Sequence, residues 1–211
     1  MKLLGFQRSK NLLSKHKIPF LKCEIFSLEE LKKAERLAKK IGYPVVLKVS
    51  SPKIFHRTDI GGVKVGIKNE KELKNSFLNL AKIKGVKDIL VQKMGKGKEI
   101  ALGMKRDPQF GPVLMVGLGG IFVEVLKDVS FGICPLSKRE AFKMIKEMKG
   151  YTVLKGGRSQ KGVNIRALTD IMVKLSELSL REKDIQEIDF NPVIINEKTA
   201  KVADFKFFIK A

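Results

Sequence analysis

The stretch richest in possible chemistry is Ser51-Pro52-Lys53-Ile54-Phe55-His56-Arg57-Thr58-Asp59-Ile60-Gly61-Gly62, in which a histidine precedes an aspartate by three residues and a double glycine follows. An imidazole titrates near pH 6.5, so His56 can serve as a nucleophile or as an acid/base at neutral pH. Gly61 and Gly62 can bring backbone N–H groups close to an anion such as phosphate. The same residues are also compatible with a surface loop closed by a glycine turn. A second suggestive residue is Lys48, inside the apolar run Val45-Val46-Leu47-Lys48-Val49. A strand apolar on both sides buries an ammonium only at high cost unless an anion meets it, so Lys48 is either a phosphate ligand or a side chain that snorkels to water. The third is a set of oxygen donors near the C-terminus, Glu187, Asp189, Asn191 and Asp204. Such donors hold magnesium while the ion keeps waters and nucleotide phosphates; they are equally at home on a solvated surface.

These groups need elements to position them. Phe6–Lys15 reads as a helix and Leu21–Phe26 as a strand; Ser27-Leu28-Glu29-Glu30 has capping-box spacing ahead of a helix over residues 28–41 with the stripe Leu31, Ala34, Leu37, Ala38 and Ile41. The His56 loop joins the Val45–Val49 strand to the alternating run Val63–Ile67, and Asn69 caps a helix over 70–84 whose stripe is Leu73, Phe77, Leu80 and Ala81. A strand over Asp88–Met94 ends at Gly95-Lys96-Gly97, where the boundary between two lobes is expected, residues 1–93 and 94–211. In the second lobe, Glu99–Arg106 and Val113–Val116 alternate as strands, and Gly117-Leu118-Gly119-Gly120 reads as a turn into Ile121–Val125 to complete a hairpin. Ser137 and Glu140 form a further capping box for a helix to about Lys149, and Gly150–Ser159 reads as a glycine-rich loop around Arg158. A helix over 167–180 with the stripe Ile171, Leu175 and Leu178 precedes the strands Ile185–Phe190, Val193–Ile195 and Lys201–Phe207.

Composition bounds the possibilities. With 211 residues, 44% of them hydrophobic, the chain can build a sizeable core, and no apolar run approaches the roughly 18 to 20 residues of a membrane span. No signal-peptide pattern opens the sequence, so a cytoplasmic protein is expected. Cys23 and Cys134 lack partners at metal-ligand spacing and read as buried thiols; His16, at the end of the first helix, reads as a surface residue. The formal charge of +21 raises the possibility of a nucleic-acid partner. However, the lysines are scattered through every expected helix, and with two tyrosines and no tryptophan there is little to stack on bases, which favours a solvated basic surface or an anionic ligand.

Taken together, Gly42-Tyr43-Pro44-Val45-Val46-Leu47-Lys48, the Ser51–Val63 segment, Asp107-Pro108-Gln109-Phe110-Gly111-Pro112, Gly117–Glu124 and Asp189-Phe190-Asn191-Pro192 resemble the β subunit of the ADP-forming acetyl-CoA (acyl-CoA) synthetases, related to that of succinyl-CoA synthetase. The resemblance runs from about Ser9 to Phe208. It implies an α/β (α+β) ATP-grasp fold of two lobes with the nucleotide between them, and an acid–CoA ligase that converts acyl-CoA, ADP and phosphate reversibly to acid, CoA and ATP. His56 matches the histidine that carries the phosphoryl group to ADP, Asp189 the carboxylate that orients it, and Arg158 a cation that neutralises the moving group. Lys48 matches the phosphate-binding lysine, Gln92, Lys93 and Met94 the adenine hinge, and Glu99 a glutamate near the nucleotide. Asn191 and Asp204 match the magnesium ligands, with Gly61 and Gly62 beside the histidine. The implied cofactors are ATP or ADP and Mg2+, and the implied partner is a CoA-binding α subunit in an assembly of two chains of each kind. Two other readings stay open: an ATP-grasp carboxylate ligase without a phosphohistidine, and a basic nucleic-acid-binding module.

Overall fold

The computed structural model describes residues 1–51, 57, 59–119, 128–157 and 161–210. They form two compact units, Leu21–Gly95 and Met1–Phe20 together with Lys96–Ala211. The first twenty residues therefore belong with the C-terminal part, unlike the division at 93 expected from sequence.

The Leu21–Gly95 unit is a four-stranded antiparallel sheet of β2 (Cys23–Ser27), β5 (Asp88–Lys93), β3 (Val45–Ser50) and β4 (Val63–Ile67), in that order. Two helices, α2 (Leu31–Ile41) and α3 (Glu70–Ala81), cover one face. The expected stripes are the ones that pack: Ala34, Ala38, Leu73, Phe77 and Leu80 meet Val45, Leu47, Val49, Ile89 and Val91 in one core, with Leu31, Leu37, Ile41 and Ala81 at its margin. Asn69 caps α3 through the Glu72 N–H as expected. By contrast, α2 starts at Leu31 rather than 28. Ser27 ends β2, and of the expected box only the return bond forms, from the Ser27 N–H to the Glu30 carboxylate at 3.1 Å. The Ser27 carbonyl meanwhile accepts the Glu30 N–H, so these residues close a turn before the helix.

The other unit is a seven-stranded antiparallel sheet in the order β1 (Lys2–Leu3), β11 (Lys206–Ile209), β9 (Ile185–Ile195), β6 (Lys98–Asp107), β7 (Gly111–Leu118) and β8 (Val129–Ile133), with β10 (Ala200–Val202) also on β9. Pairing of Lys2 and Leu3 with Ile209 and Phe208, and stacking of Phe6 in α1 (Phe6–Lys15) on Phe205 at 5.6 Å, tie the N-terminus into this unit. Helices α4 (Lys138–Glu147) and α6 (Ile165–Arg181) lie on the sheet, the latter through Leu168, Ile171, Met172, Leu175 and Leu178. The capping box at Ser137 and Glu140 is present in full.

Three expectations are revised. The hairpin turn at Gly117 is strand: Gly117 and Leu118 end β7, opposite Ala101 and Ile100, and β8 is the next partner, while Ile121–Val125 lies outside the described residues. The loop from Gly150 contains a short helix, α5 (Tyr151–Lys155), and just ahead of it the N–H groups of Lys149 and Gly150 donate to the buried Asp128 carboxylate at 2.7 and 2.6 Å. Ile185–Phe190 and Val193–Ile195 are one strand; the β6 register shifts between Ile100 and Leu102, so Asn191 and Pro192 form a bulge in a continuous β9. No described helix is long and apolar enough to cross a membrane.

Candidate functional site

In the Leu21–Gly95 unit, β3 places Lys48. Its neighbours Leu47 and Val49 point into the helix-covered core, so alternation puts Lys48 on the opposite face. Directly paired residues share a face, which sets Leu90 and Val63 beside Lys48 and Gln92 beside Val46. That face is largely buried: Lys48 is 8% exposed and the polar Gln92 2%, with Val46 and Leu90 similarly enclosed. The snorkelling alternative is thereby disfavoured.

The backbone after Gln92 is already engaged. The Lys93 N–H donates to the Lys22 carbonyl (2.9 Å) and the Met94 N–H to the Pro44 carbonyl (3.2 Å). The Lys93 ammonium donates to the carbonyls of Gly42 and Tyr43 at 2.8 and 3.2 Å, just past the end of α2. Lys93 thus fastens the end of β5 to the segment that follows α2, and its side chain is committed there.

His56 lies outside the described residues; the base of its loop does not. The Gly62 N–H donates to the Arg57 carbonyl and the Gly62 carbonyl accepts the Val49 N–H, both at 2.8 Å. A Cβ on Gly62 would stand 2.6 Å from Val49 Cγ2 and 2.9 Å from the Arg57 oxygen. Glycine is therefore required at 62 by close packing at the neck of the loop, and its N–H is spent on the chain rather than offered to an anion. Gly61 is exposed with a φ of +66°, a left-handed turn residue.

In the other unit, β9 carries Asp189 and Asn191. The Ala203 and Asp204 N–H groups donate to the Pro192 carbonyl (2.9 and 3.3 Å), which sets Asp204 beside the Asn191–Pro192 bulge. Asn191 is exposed and Asp204 half-buried. An amide oxygen and a carboxylate suit a hard cation that keeps most of its shell for waters and phosphates. Among the described residues no group of three or more His, Cys, Asp or Glu is placed to hold a metal on its own. Glu99, exposed near the start of β6, is crossed closely by Gly119, whose N–H donates to the Glu99 carbonyl at 2.7 Å. Arg158 lies outside the described residues.

Asp189 has a neighbour that sequence reading missed. The register sets Lys206 opposite Asp189, with the ammonium 3.5 Å from Oδ2. Burial pushes the Asp189 carboxyl above its usual range, Lys206 pulls it back, and Asp204 and Glu187 push it up again. Lys206 could have been found only by knowing the β9 and β11 register. His16 also departs from expectation. Its imidazole is enclosed, 5% exposed, with Nε2 2.9 Å from the Glu182 carboxylate, which also holds Lys15 at 2.7 Å. Lys15 first and His16 second keep Glu182 below the ordinary carboxylate range. His16 joins the end of α1 to the end of α6. Cys23 and Cys134 are buried, as expected, and neither is in a disulfide.

Comparison with known proteins follows the same lines. The chain matches the ATP-grasp domain family over residues 1–209. It is 43% identical over 211 aligned residues to the β subunit of ADP-forming acetate–CoA ligase I of Pyrococcus furiosus, covering 95% of this chain and 89% of that one. With ADP-forming acetate–CoA ligase I of Archaeoglobus fulgidus it shares 46% identity over 184 residues, 83% of this chain but only 27% of that longer protein. Among solved structures, acetyl-coenzyme A synthetase 1 of Ca. Korarchaeum cryptofilum, in complex with coenzyme A and Mg-AMPPCP and with its phosphohistidine segment pointing towards the nucleotide binding site, superposes with a TM-score of 0.87 at 38% identity, covering 99% of this chain and 93% of that chain. The chain thus belongs to the ATP-grasp family and, within it, to the β subunits of the ADP-forming acetate–CoA ligases.

Proposed function

We propose that this chain is the nucleotide-binding β subunit of an ADP-forming acetyl-CoA (acyl-CoA) synthetase, working with a CoA-binding α chain in an assembly of two chains of each kind. The observation that carries this reading is Lys48, a lysine almost wholly buried on the face of the sheet opposite its helix-packed core. A cation so placed is suited to nucleotide phosphates. The Gln92–Met94 segment borders adenine, and Glu99 lies near the nucleotide. Asn191 and Asp204 would hold Mg2+, whose chemistry when bound is to offset phosphate charge. His56 carries the phosphoryl group: its N–P bond breaks as a terminal phosphate oxygen of ADP forms a new O–P bond, and the imidazole leaves as a neutral ring. Asp189 is assigned the carboxylate that would accept the N–H of the other ring nitrogen and so hold the tautomer in which the reacting nitrogen has its lone pair. Arg158 offsets charge on the group in transit.

The reading is tested by mixing the chain with labelled ATP, Mg2+ and the α chain and following acid-labile, base-stable label on the β chain. Label should appear, turn over with CoA and acid, and vanish in His56→Ala. Turnover without any such label would replace this proposal with direct carboxylate activation.

A further inference from the structure

Asp204 sits in the bend over residues 203–205, which links β10 to β11 and belongs to neither strand. Outside the strand ladders, the contacts of this bend decide where the Asp204 carboxylate stands. On one side the Pro192 carbonyl accepts the Ala203 and Asp204 N–H groups at 2.9 and 3.3 Å, tying the bend to the Asn191–Pro192 bulge. The next residue, Phe205, donates its N–H to Asp204 Oδ1 at 3.2 Å. The residue that bears the ring thus also holds the carboxylate.

The Phe205 ring is gripped by the opposite end of the chain. Phe205 is 9% exposed; the Phe6 ring stacks on it at 5.6 Å and 24°, and the Phe20 ring meets it edge-on at 6.2 Å and 67°. Stacking and edge contact are the geometries aromatic pairs favour, and a ring held by one of each is fixed in position and tilt. Both gripping residues are themselves anchored. Phe6 opens α1, whose far end is fastened by His16 and Lys15 on Glu182 at 2.9 and 2.7 Å. Phe20 is bridged to Val202, whose N–H donates to the Pro19 carbonyl at 2.9 Å, so it is registered on the last residue of β10, just before the bend. All three rings lie in the unit formed by Met1–Phe20 with Lys96–Ala211.

We propose that Phe6 and Phe20 are positioning residues for a divalent cation: by gripping Phe205 they hold the Asp204 carboxylate in place beside the Asn191 bulge. This rests on the magnesium role proposed above for Asn191 and Asp204. A hard cation with few protein ligands depends on each oxygen standing within about 0.5 Å of its place, so the groups behind the ligands govern affinity as well. The clamp bears on Asp204, whereas Lys48 and the Gln92–Met94 segment belong to the other unit. Loosening it therefore has a signature that general destabilisation lacks: the cation's contribution to nucleotide binding falls while metal-free nucleotide binding stays.

The test is isothermal titration of the full chain with ADP, with and without saturating Mg2+; the ratio of the two Kd values is the cation's enhancement. Phe6→Leu and Phe20→Leu keep an apolar side chain and remove the ring. Each should lower the enhancement about 5- to 10-fold, with metal-free affinity within about twofold of wild type. Phe20→Tyr, which keeps the ring at a half-buried position, should retain the full enhancement. A lower melting temperature with the enhancement intact in both leucine variants would reduce the rings to packing and overturn the proposal, as would an equal loss with and without Mg2+. Asp204→Asn separates this inference from the reading beneath it. If the wild type shows no enhancement, or Asp204→Asn keeps it, the magnesium assignment falls and the inference with it; if Asp204→Asn loses it and both leucine variants keep it, the inference alone falls.

Discussion

At the residue scale, two side chains separate chemistry from stability. Lys48→Met keeps the apolar stem and removes the charge, so the sheet should melt as before or higher while affinity for Mg-ADP falls by about 10- to 100-fold, the worth of a charge-assisted hydrogen bond. Isothermal titration reads this directly; unchanged affinity would remove Lys48 from the site. Asp189 is the second. Because its carboxyl is pushed up in the folded chain, the native state holds the extra proton between the unfolded and folded pKa values. Stability therefore falls as pH rises through that window, and at pH 7 the ionised group is a standing cost. Asp189→Asn should keep or raise the melting temperature at pH 7 while slowing phosphoryl transfer by about 10²- to 10⁴-fold. A lower melting temperature would mean that Lys206 outweighs burial.

At the element scale, caps and close approaches decide how well each unit is held. Ser137→Ala removes the acceptor for the Glu140 N–H and should cost about 1 kcal/mol, a fall of about 2–4 °C in a scan. Glu140 is held below its ordinary range chiefly by the Ser137 hydroxyl, so the box contributes above the unfolded carboxylate pKa and fades as pH drops through the lowered value. Gly62→Ala acts differently. Its methyl would press on Val49 and on the Arg57 carbonyl, so the neck of the His56 loop must shift. Phosphohistidine formation should fall well before global stability does, which parallel labelling and melting experiments would show. The helical stripes and the caps at Asn69 and Ser137 were legible in sequence because they depend on neighbours three or four residues away. The start of α2 and the helix after Gly150 were not, because Ser27 was taken by a strand and the turn leading into that helix is held at Lys149 and Gly150 by Asp128, more than twenty residues upstream.

At the scale of the whole molecule, charge and assembly dominate. A surface at +21 will attract any polyanion at low ionic strength, so weak duplex DNA binding is expected at about 50 mM salt and should be lost steeply by about 200 mM, as counterion release requires. Binding that survives the higher salt would revive the nucleic-acid reading. Mg-ADP binding, proposed to rest on the buried Lys48, should change far less over the same range.

The order of the short motifs sufficed to identify the ATP-grasp family, and periodicity sufficed to say which helix faces pack. Lysine in an apolar strand was likewise enough to single out Lys48. What tertiary structure alone decided is every relation set by long-range register. Lys206 faces Asp189, His16 is sealed against Glu182, and the first twenty residues join the C-terminal sheet. Phe131 is left uncovered at a sheet edge. Antiparallel pairing depends on which strands meet and in which phase, and a one-residue slip would change every partner, so no local pattern encodes it.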